Sequence, residues 1–173
     1  MTSLAHVRLH LRVLAGDRPT VQRLISEGAD VNAGDERGNT PLHLAPFPDI
    51  ARLLLEAGAG VNARNAEGMT PLLTSLLFGR DLIACLLGAG ADAAALDDQG
   101  RSAFHFCTTV KQAKALLAAG LDPDLSGDGA GKAWRLNPNP AIRNLLLAEL
   151  TKHTQAQPRP QTRRRLGQRI GED

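Results

Sequence analysis

The chain repeats itself, and that constrains its fold more than any other property. The segments "LISEGADVNA" (24–33), "LLLEAGAGVNA" (53–63), "CLLGAGADAAA" (85–95) and "ALLAAGLDPD" (115–124) align on glycines 28, 58, 90 and 120, spaced by 30, 32 and 30 residues. A second set, "DERGNTPLHL" (35–44), "NAEGMTPLLT" (65–74), "DDQGRSAFHF" (97–106) and "DGAGKAWRLN" (128–137), aligns on glycines 38, 68, 100 and 131. Two markers that stay in phase over four copies identify a stacked array of like units.

Each unit can be read locally. Asp35-Glu36-Arg37-Gly38 and its counterparts are turn sequences in which glycine supplies a positive φ. Thr40-Pro41 and Thr70-Pro71 open a helix with threonine as N-cap and proline in the first helical position. Ser102 keeps the cap in the next copy, where Ala103 replaces the proline. A second helix, apolar at Ile50, Leu53 and Leu54, stops at Gly58 in the manner of a left-handed C-cap. Such a helix pair cannot bury its apolar face alone and has to stack on its neighbours.

The strings "DERGNTPLHLA" and "LLLEAGAGVNA" resemble the ankyrin repeat, whose usual pattern is D-x-x-G-x-T-P-L-H-x-A followed by a helix ending L-L-L-x-x-G-A-D-V-N-A. The resemblance implies an all-α solenoid of stacked helix-turn-helix units with β-turn tips. It covers a repeat domain over residues 1–150, in five units at about 4–33, 34–63, 64–95, 96–124 and 125–150. Residues 151–173 follow as a basic, flexible tail. The resemblance also implies that His10, His43 and His105, which share one position of the first helix, brace neighbouring units.

The chain departs from the 33-residue family unit by being shorter. Counted from the turn glycine, the loss falls between the two helices. Gly79-Arg80 keeps most of the usual connection, whereas the second unit has "APFPDI" (45–50) and the fourth has "CTTVKQ" (107–112). Two prolines two residues apart cannot lie in one helix. Pro46 is expected to end the first helix, because the residue before a proline avoids the α region. Pro48 is expected to open the second, where a missing N–H costs nothing. "NPNPAI" (137–142) repeats the device in the last unit.

The composition fits this reading and removes other functions. Apolar residues make up 43%, aromatics only 3%, and there is no tyrosine, so the core is built from Leu, Ala, Val and Ile. Two cysteines make no disulfide framework. His6, Arg8, His10 and Arg12 interrupt the apolar N-terminus, and no long apolar run suggests a membrane span. A reduced, cytoplasmic setting is the expectation. "GDGAGK" (127–132) is not a phosphate loop, since three residues rather than four separate its outer glycines and Ala133 replaces the hydroxyl that holds magnesium. The histidines lie too far apart to share a metal. Cys85 and Cys107 fall on core positions without a histidine–acid pair. No enzyme constellation, cofactor site or small-molecule substrate site is indicated.

What remains is surface. Partners of ankyrin arrays usually touch the turn tips and the exposed positions of the first helices, which form a concave face. Carried onto this sequence, the candidate partner-binding residues are Arg37, Met69 and Arg101 at the tips, Phe47, Leu77, Phe78 and Val110 on the first helices, and Trp134 near the C-terminal end. The expected function is that of a monomeric, non-enzymatic module binding another protein through this face, as an inhibitor or immunity protein of a cognate toxin or enzyme. The alternative lies in charge. Residues 1–150 carry 14 Lys/Arg and 16 Asp/Glu, a net of −2, whereas 151–173 carry 6 and 2, a net of +4. "TRRRLGQRI" (162–170) could therefore engage an acidic surface or nucleic acid. Lacking interleaved aromatics, it leaves nucleic acid a disfavoured partner.

Overall fold

A computed structural model describes residues 3–156 and places ten helices in them. These are α1 (Ser3–Leu14), α2 (Arg18–Ser26), α3 (Pro41–Leu44), α4 (Pro48–Glu56), α5 (Pro71–Leu77), α6 (Ile83–Gly88), α7 (Ala103–Phe106), α8 (Val110–Ala118), α9 (Ala133–Leu136) and α10 (Pro140–Ala156). No strand occurs among the described residues. The odd-numbered helices pack in a row, α1 on α3 on α5 on α7 on α9, and the even-numbered helices form a second row behind them. This is the all-α solenoid the repeats predict. Helix α10 continues to Ala156, beyond residue 150 where the fifth unit was expected to end. The arginine cluster at 163–165 lies outside the described residues.

The core runs along the seam between the rows. Leu9, Leu42, Leu72 and Phe104 hold one repeated position of the first helices and are all buried. Leu24, Leu54, Leu86, Leu116 and Leu146 do the same in the second helices. Each side chain is covered by the next unit as much as by its own, so burial couples neighbours.

Polar contacts reinforce the stacking. His10 Nε2 lies 2.9 Å from the Asn39 carbonyl, His43 Nε2 3.0 Å from that of Met69, and His105 Nε2 3.2 Å from that of Gly131. A carbonyl only accepts, so Nε2 carries the proton in each case. In His43 and His105 that leaves Nδ1 to accept from the backbone N–H of Thr40 and Ser102, at 3.1 and 3.0 Å. One neutral imidazole thus closes the helix N-terminus of its own unit and holds the next. The bracing role implied by the resemblance is met. Leu73 takes this place in the third unit and is buried without a polar bond.

The shortening falls differently from expectation. Helices α1 and α5 run four residues past the shared position (His10 to Leu14, Leu73 to Leu77), whereas α3, α7 and α9 run one (His43 to Leu44, His105 to Phe106, Arg135 to Leu136). The missing residues therefore come out of the last turn of the first helix, not from the connection alone. The prolines act as expected. Ala45 adopts φ −55°, ψ 120° before Pro46, and Pro48 is the first residue of α4. Asn137 adopts φ −56°, ψ 130° before Pro138, and Pro140 opens α10. In the fourth unit Cys107 makes the same corner at φ −59°, ψ 126° without proline. There the buried Gln112 accepts from the N–H groups of Thr108 and Thr109 at 2.9 and 3.1 Å.

A truncated helix exposes carbonyls that a further turn would have satisfied. The following unit supplies the donors. Arg80 Nη1 donates to His43 O at 2.9 Å, and Asn137 Nδ2 donates to Phe104 O and Cys107 O at 2.8 and 2.9 Å. Asn137 is almost wholly buried. Replacing it with alanine should therefore lower the unfolding free energy by about 2 kcal/mol, since two buried acceptors lose their only strong donor. Lys111→Ala, which breaks an exposed ion pair to Asp81, should cost less than about 0.5 kcal/mol. Urea denaturation of the two variants checks the contrast.

Acid should also weaken the stack. Burial pushes the His43 and His105 imidazoles below their usual value of 6.5. The unfolded chain then binds these protons at higher pH than the folded one. Their stabilisation is present above about pH 6.5 and is lost as pH falls toward the lower folded values. The unfolding free energy should decline from about pH 7.5 to about pH 5, and His43→Leu should show a shallower decline whatever its stability at neutral pH. An equal slope in both proteins would refute the assignment.

Candidate partner-binding face

The tips are built by side chains that imitate backbone. Asp35 Oδ1 accepts from the N–H groups of Arg37 and Asn39 at 2.9 and 2.8 Å. Asn65 Oδ1 accepts from Glu67 and Met69 at 3.0 Å each, and Asp97 Oδ1 from Gln99 and Arg101 at 3.0 and 2.8 Å. Such turns leave the next residues outward-facing. Successive tips are stitched by backbone bonds, Ala66 N to Arg37 O (2.9 Å), Asp98 N to Glu67 O (3.1 Å) and Gly127 N to Gly100 O (2.8 Å). The last approach is so close that a Cβ at Gly100 would stand 2.9 Å from the Gly127 Cα, which fixes glycine there.

Charge on the tips is partly spent within the fold. Arg64 pairs with Asp98 at 3.1 Å, and Arg101 pairs with the buried Asp97 at 2.6 Å. Partial burial works against ionisation of Asp35, but hydrogen bonds from Asn39 and the N–H groups of Asn39 and Arg37 outweigh it and hold the carboxyl below its usual range. Glu36, Arg37 and Glu67 enter no ion pair among the described residues.

Below these tips, across the first three units, runs a groove of about 780 Å³. Its apolar walls are Val7, Leu11 and Leu14 on α1 and Leu77 and Phe78 at the end of α5, each between 45% and 62% exposed. His43 and Leu44 of the short α3 line its middle, and Asp35, Glu36, Arg37 and Glu67 its tip end. Five large apolar side chains on one concavity are more than scattered surface hydrophobes, and such patches mark interaction sites.

The sequence-derived candidates fall into three groups. Arg37, Leu77 and Phe78 lie exposed in the groove. Phe78 does not fold into the space left by shortened neighbours; it stays out, with the Arg80 guanidinium 4.9 Å above its ring. Phe47 is also exposed, but it stands at the corner entering α4, outside the groove, where a Cβ on Gly16 would come within 3.0 Å of its ring. The other four are placed differently from expectation. Met69 lines the floor of the groove but is only 2% exposed, and its carbonyl accepts from His43 of the preceding unit. Arg101 is held by Asp97 and stacks 4.7 Å from the Phe106 ring, so its charge is already engaged. Val110 is the first residue of the second helix α8, not part of a first helix, and is half-buried against the core. Trp134 is half-buried as well, and its Nε1–H donates to Asp124 Oδ1 at 3.1 Å.

Sequence reading missed the α1 wall. Val7, Leu11 and Leu14 follow helical spacing, but Leu9 and Val13 make the same helix apolar on its buried side too, so the exposed stripe could not be told from core. Burial pushes the Cys107 thiol up to about 12 and raises that of Cys85, which suppresses the thiolate that nucleophilic chemistry needs. Among the described residues no cluster of three or more His, Cys, Asp or Glu could hold a metal ion, and no helix is long and apolar enough to cross a membrane.

Comparison with known proteins agrees with the architecture. A family model described as ankyrin repeats (3 copies) matches residues 9–95. Human neurogenic locus notch homolog protein 2 is 35% identical over 114 residues, which is 63% of this chain and 5% of that protein. Mouse neurogenic locus notch homolog protein 1 is 34% identical over 128 residues, 69% of this chain and 5% of that protein. Human protein phosphatase 1 regulatory subunit 27 is 48% identical over 50 residues, 27% of this chain and 32% of that protein. The chain thus spans only a small part of these relatives. With the paired helices, the tip turns and the imidazole braces, the match over half its length shows that the chain belongs to the ankyrin repeat family.

Proposed function

We propose that the chain is a non-catalytic module that binds a protein partner on the face formed by its tips and first helices, and that it inhibits or regulates the protein it binds. The observation that carries this is the groove, where Leu77, Phe78 and the α1 stripe stay exposed although burying them would stabilise the fold. Ankyrin repeats generally mediate protein–protein contacts. One relative is by name a regulatory subunit of a phosphatase, which favours an enzyme as the target and is compatible with an immunity-protein role. A preformed array loses little ordering entropy when it docks, so a few anchors suffice. Leu77, Phe78 and Arg37 are the primary contact residues in this reading. Phe47, which rests against Gly16, extends the contact. Arg101, Val110 and Trp134 shape the surface from within.

The competing reading assigns binding to the basic segment 151–173, and the two separate in one experiment. With a partner captured on the full chain and identified by mass spectrometry, Leu77→Ala combined with Phe78→Ala should weaken binding by about 30-fold, the effect of losing roughly 2 kcal/mol at a hot spot. The circular dichroism spectrum should be unchanged. Replacing Arg163, Arg164 and Arg165 with glutamine should leave affinity within about threefold, well under 1 kcal/mol. The opposite pattern, with a steep salt dependence, would move the function to the tail.

A further inference from the structure

Leu14 and Leu77 occupy equivalent places, four residues past His10 and Leu73, on helices that flank α3. Helix α3 ends one residue after His43, so nothing of α3 stands between those two leucines. The groove passes over His43 and Leu44 of α3 and takes in the space of the missing turn at its far end. Adjacent helix axes lie about 8–10 Å apart, which puts α1 and α5 roughly 16–20 Å from each other. A helix with its side chains is about 10–12 Å across, so one helix fits between them along the line that α3 abandons.

The ends of this slot differ electrically. The tip end carries Asp35, Glu36 and Glu67 against Arg37 alone, and Glu36 and Glu67 are unpaired among the described residues. Among the described residues the other titratable groups lining the slot are His10 and His43, whose Nε2 protons are committed to carbonyls. At the opposite end Arg80 bonds to the His43 carbonyl and covers the Phe78 ring.

Resting on the protein-binding reading above, we infer that the slot takes one amphipathic helix of a partner protein, which lays its apolar stripe between α1 and α5 in place of the turn α3 lacks and sets Lys or Arg against the acidic tips. Apolar anchors at helical spacing meet Val7, Leu11 and Leu14 on one side and Leu77 and Phe78 on the other, the helix-in-groove mode of recognition. The tip acids fix which end of the incoming helix lies where.

A phage library of helix-biased 16-residue peptides tests this. Three apolar positions are fixed at i, i+4 and i+7, all others are randomised, and selection is made on the full chain with counter-selection on Leu14→Asp/Leu77→Asp. Expected are clones with two or more Lys or Arg in one terminal turn. Glu36→Lys/Glu67→Lys should weaken them at least tenfold by fluorescence anisotropy. Leu77→Ser/Phe78→Ser, verified as folded, should abolish binding and guards against misfolding of the aspartate variant. No binders, binders without basic bias, or binders indifferent to the slot variants would overturn the inference. So would a tenfold gain in affinity on changing Arg163, Arg164 and Arg165 to glutamine, which would show the chain's own tail in the slot, or a concentration-dependent dimer that the peptides dissociate, which would put a second copy there. If a captured partner depends on Leu77 and Phe78 but the peptides fail, the helix inference falls and the protein-binding reading stands. If peptides bind through the slot and a captured partner ignores Leu77 and Phe78, the reverse holds.

Discussion

A helix of four residues followed by one of nine has no interior. In this molecule every buried leucine of such a pair is covered partly by the pair beside it, and the fold exists only because that cover is reciprocal from one unit to the next. Leu42 and Leu54 are fully shielded from solvent, yet a second unit standing alone would expose both. The rest of the structure serves this constraint. Tip turns set the pitch, and glycine at position 100 lets two backbones meet where no side chain fits. Imidazoles and carboxamides satisfy the polar groups that stacking would otherwise strand. Among the described residues no buried side-chain nitrogen or oxygen lacks a partner.

Within this frame the truncation of α3 is a trade. Removing the last turn of a first helix strands carbonyls and opens the surface above them. The first problem is solved by Arg80, whose guanidinium reaches the His43 carbonyl from the following unit. The second is left unsolved. Helices α7 and α9 are just as short, but they lie side by side, so Asn137 of one unit closes the end of α7 and a long helix, α5, overhangs the gap on one side alone. Among the described residues only α3 is short between two long neighbours, and the apolar groove lies there.

Much of this was legible in the sequence, for identifiable reasons. Turn glycines and Thr-Pro caps act within three or four residues, so Thr40-Pro41 and Thr70-Pro71 announce their helices without knowledge of the fold. Pro46 and Pro48 likewise fix their own corner. Exposure was legible only where no partner intervened: Leu77 and Phe78 stay out, as expected, whereas Met69 looks identical to a surface residue until the adjacent unit is present, and Arg101 until its own turn closes. Met69 is buried and offers its carbonyl to an imidazole 26 residues away, and Arg101 is neutralised by an aspartate inside its own turn. Val110 was misplaced because the fourth unit makes its corner without a proline to mark it. The groove itself required knowing that the lost residues came from a helix end rather than from a loop.

The row of imidazoles is interrupted once, at Leu73, and the interruption makes the array chemically uneven along its length. The joints on either side of the central pair of units are held partly by a proton on His43 and on His105, whereas the joint between units three and four rests on leucine packing, backbone bonds between tips and the Arg64–Asp98 and Lys111–Asp81 ion pairs. An added proton would enter at Nδ1, the nitrogen that accepts from Thr40 or Ser102 within the same unit, and would leave the Nε2–H bond across the seam in place. An acidifying environment would therefore act first on the N-terminal caps of α3 and α7 and weaken the stack through them. His43 lines the slot, so the cap that loosens first lies directly beneath the proposed binding surface.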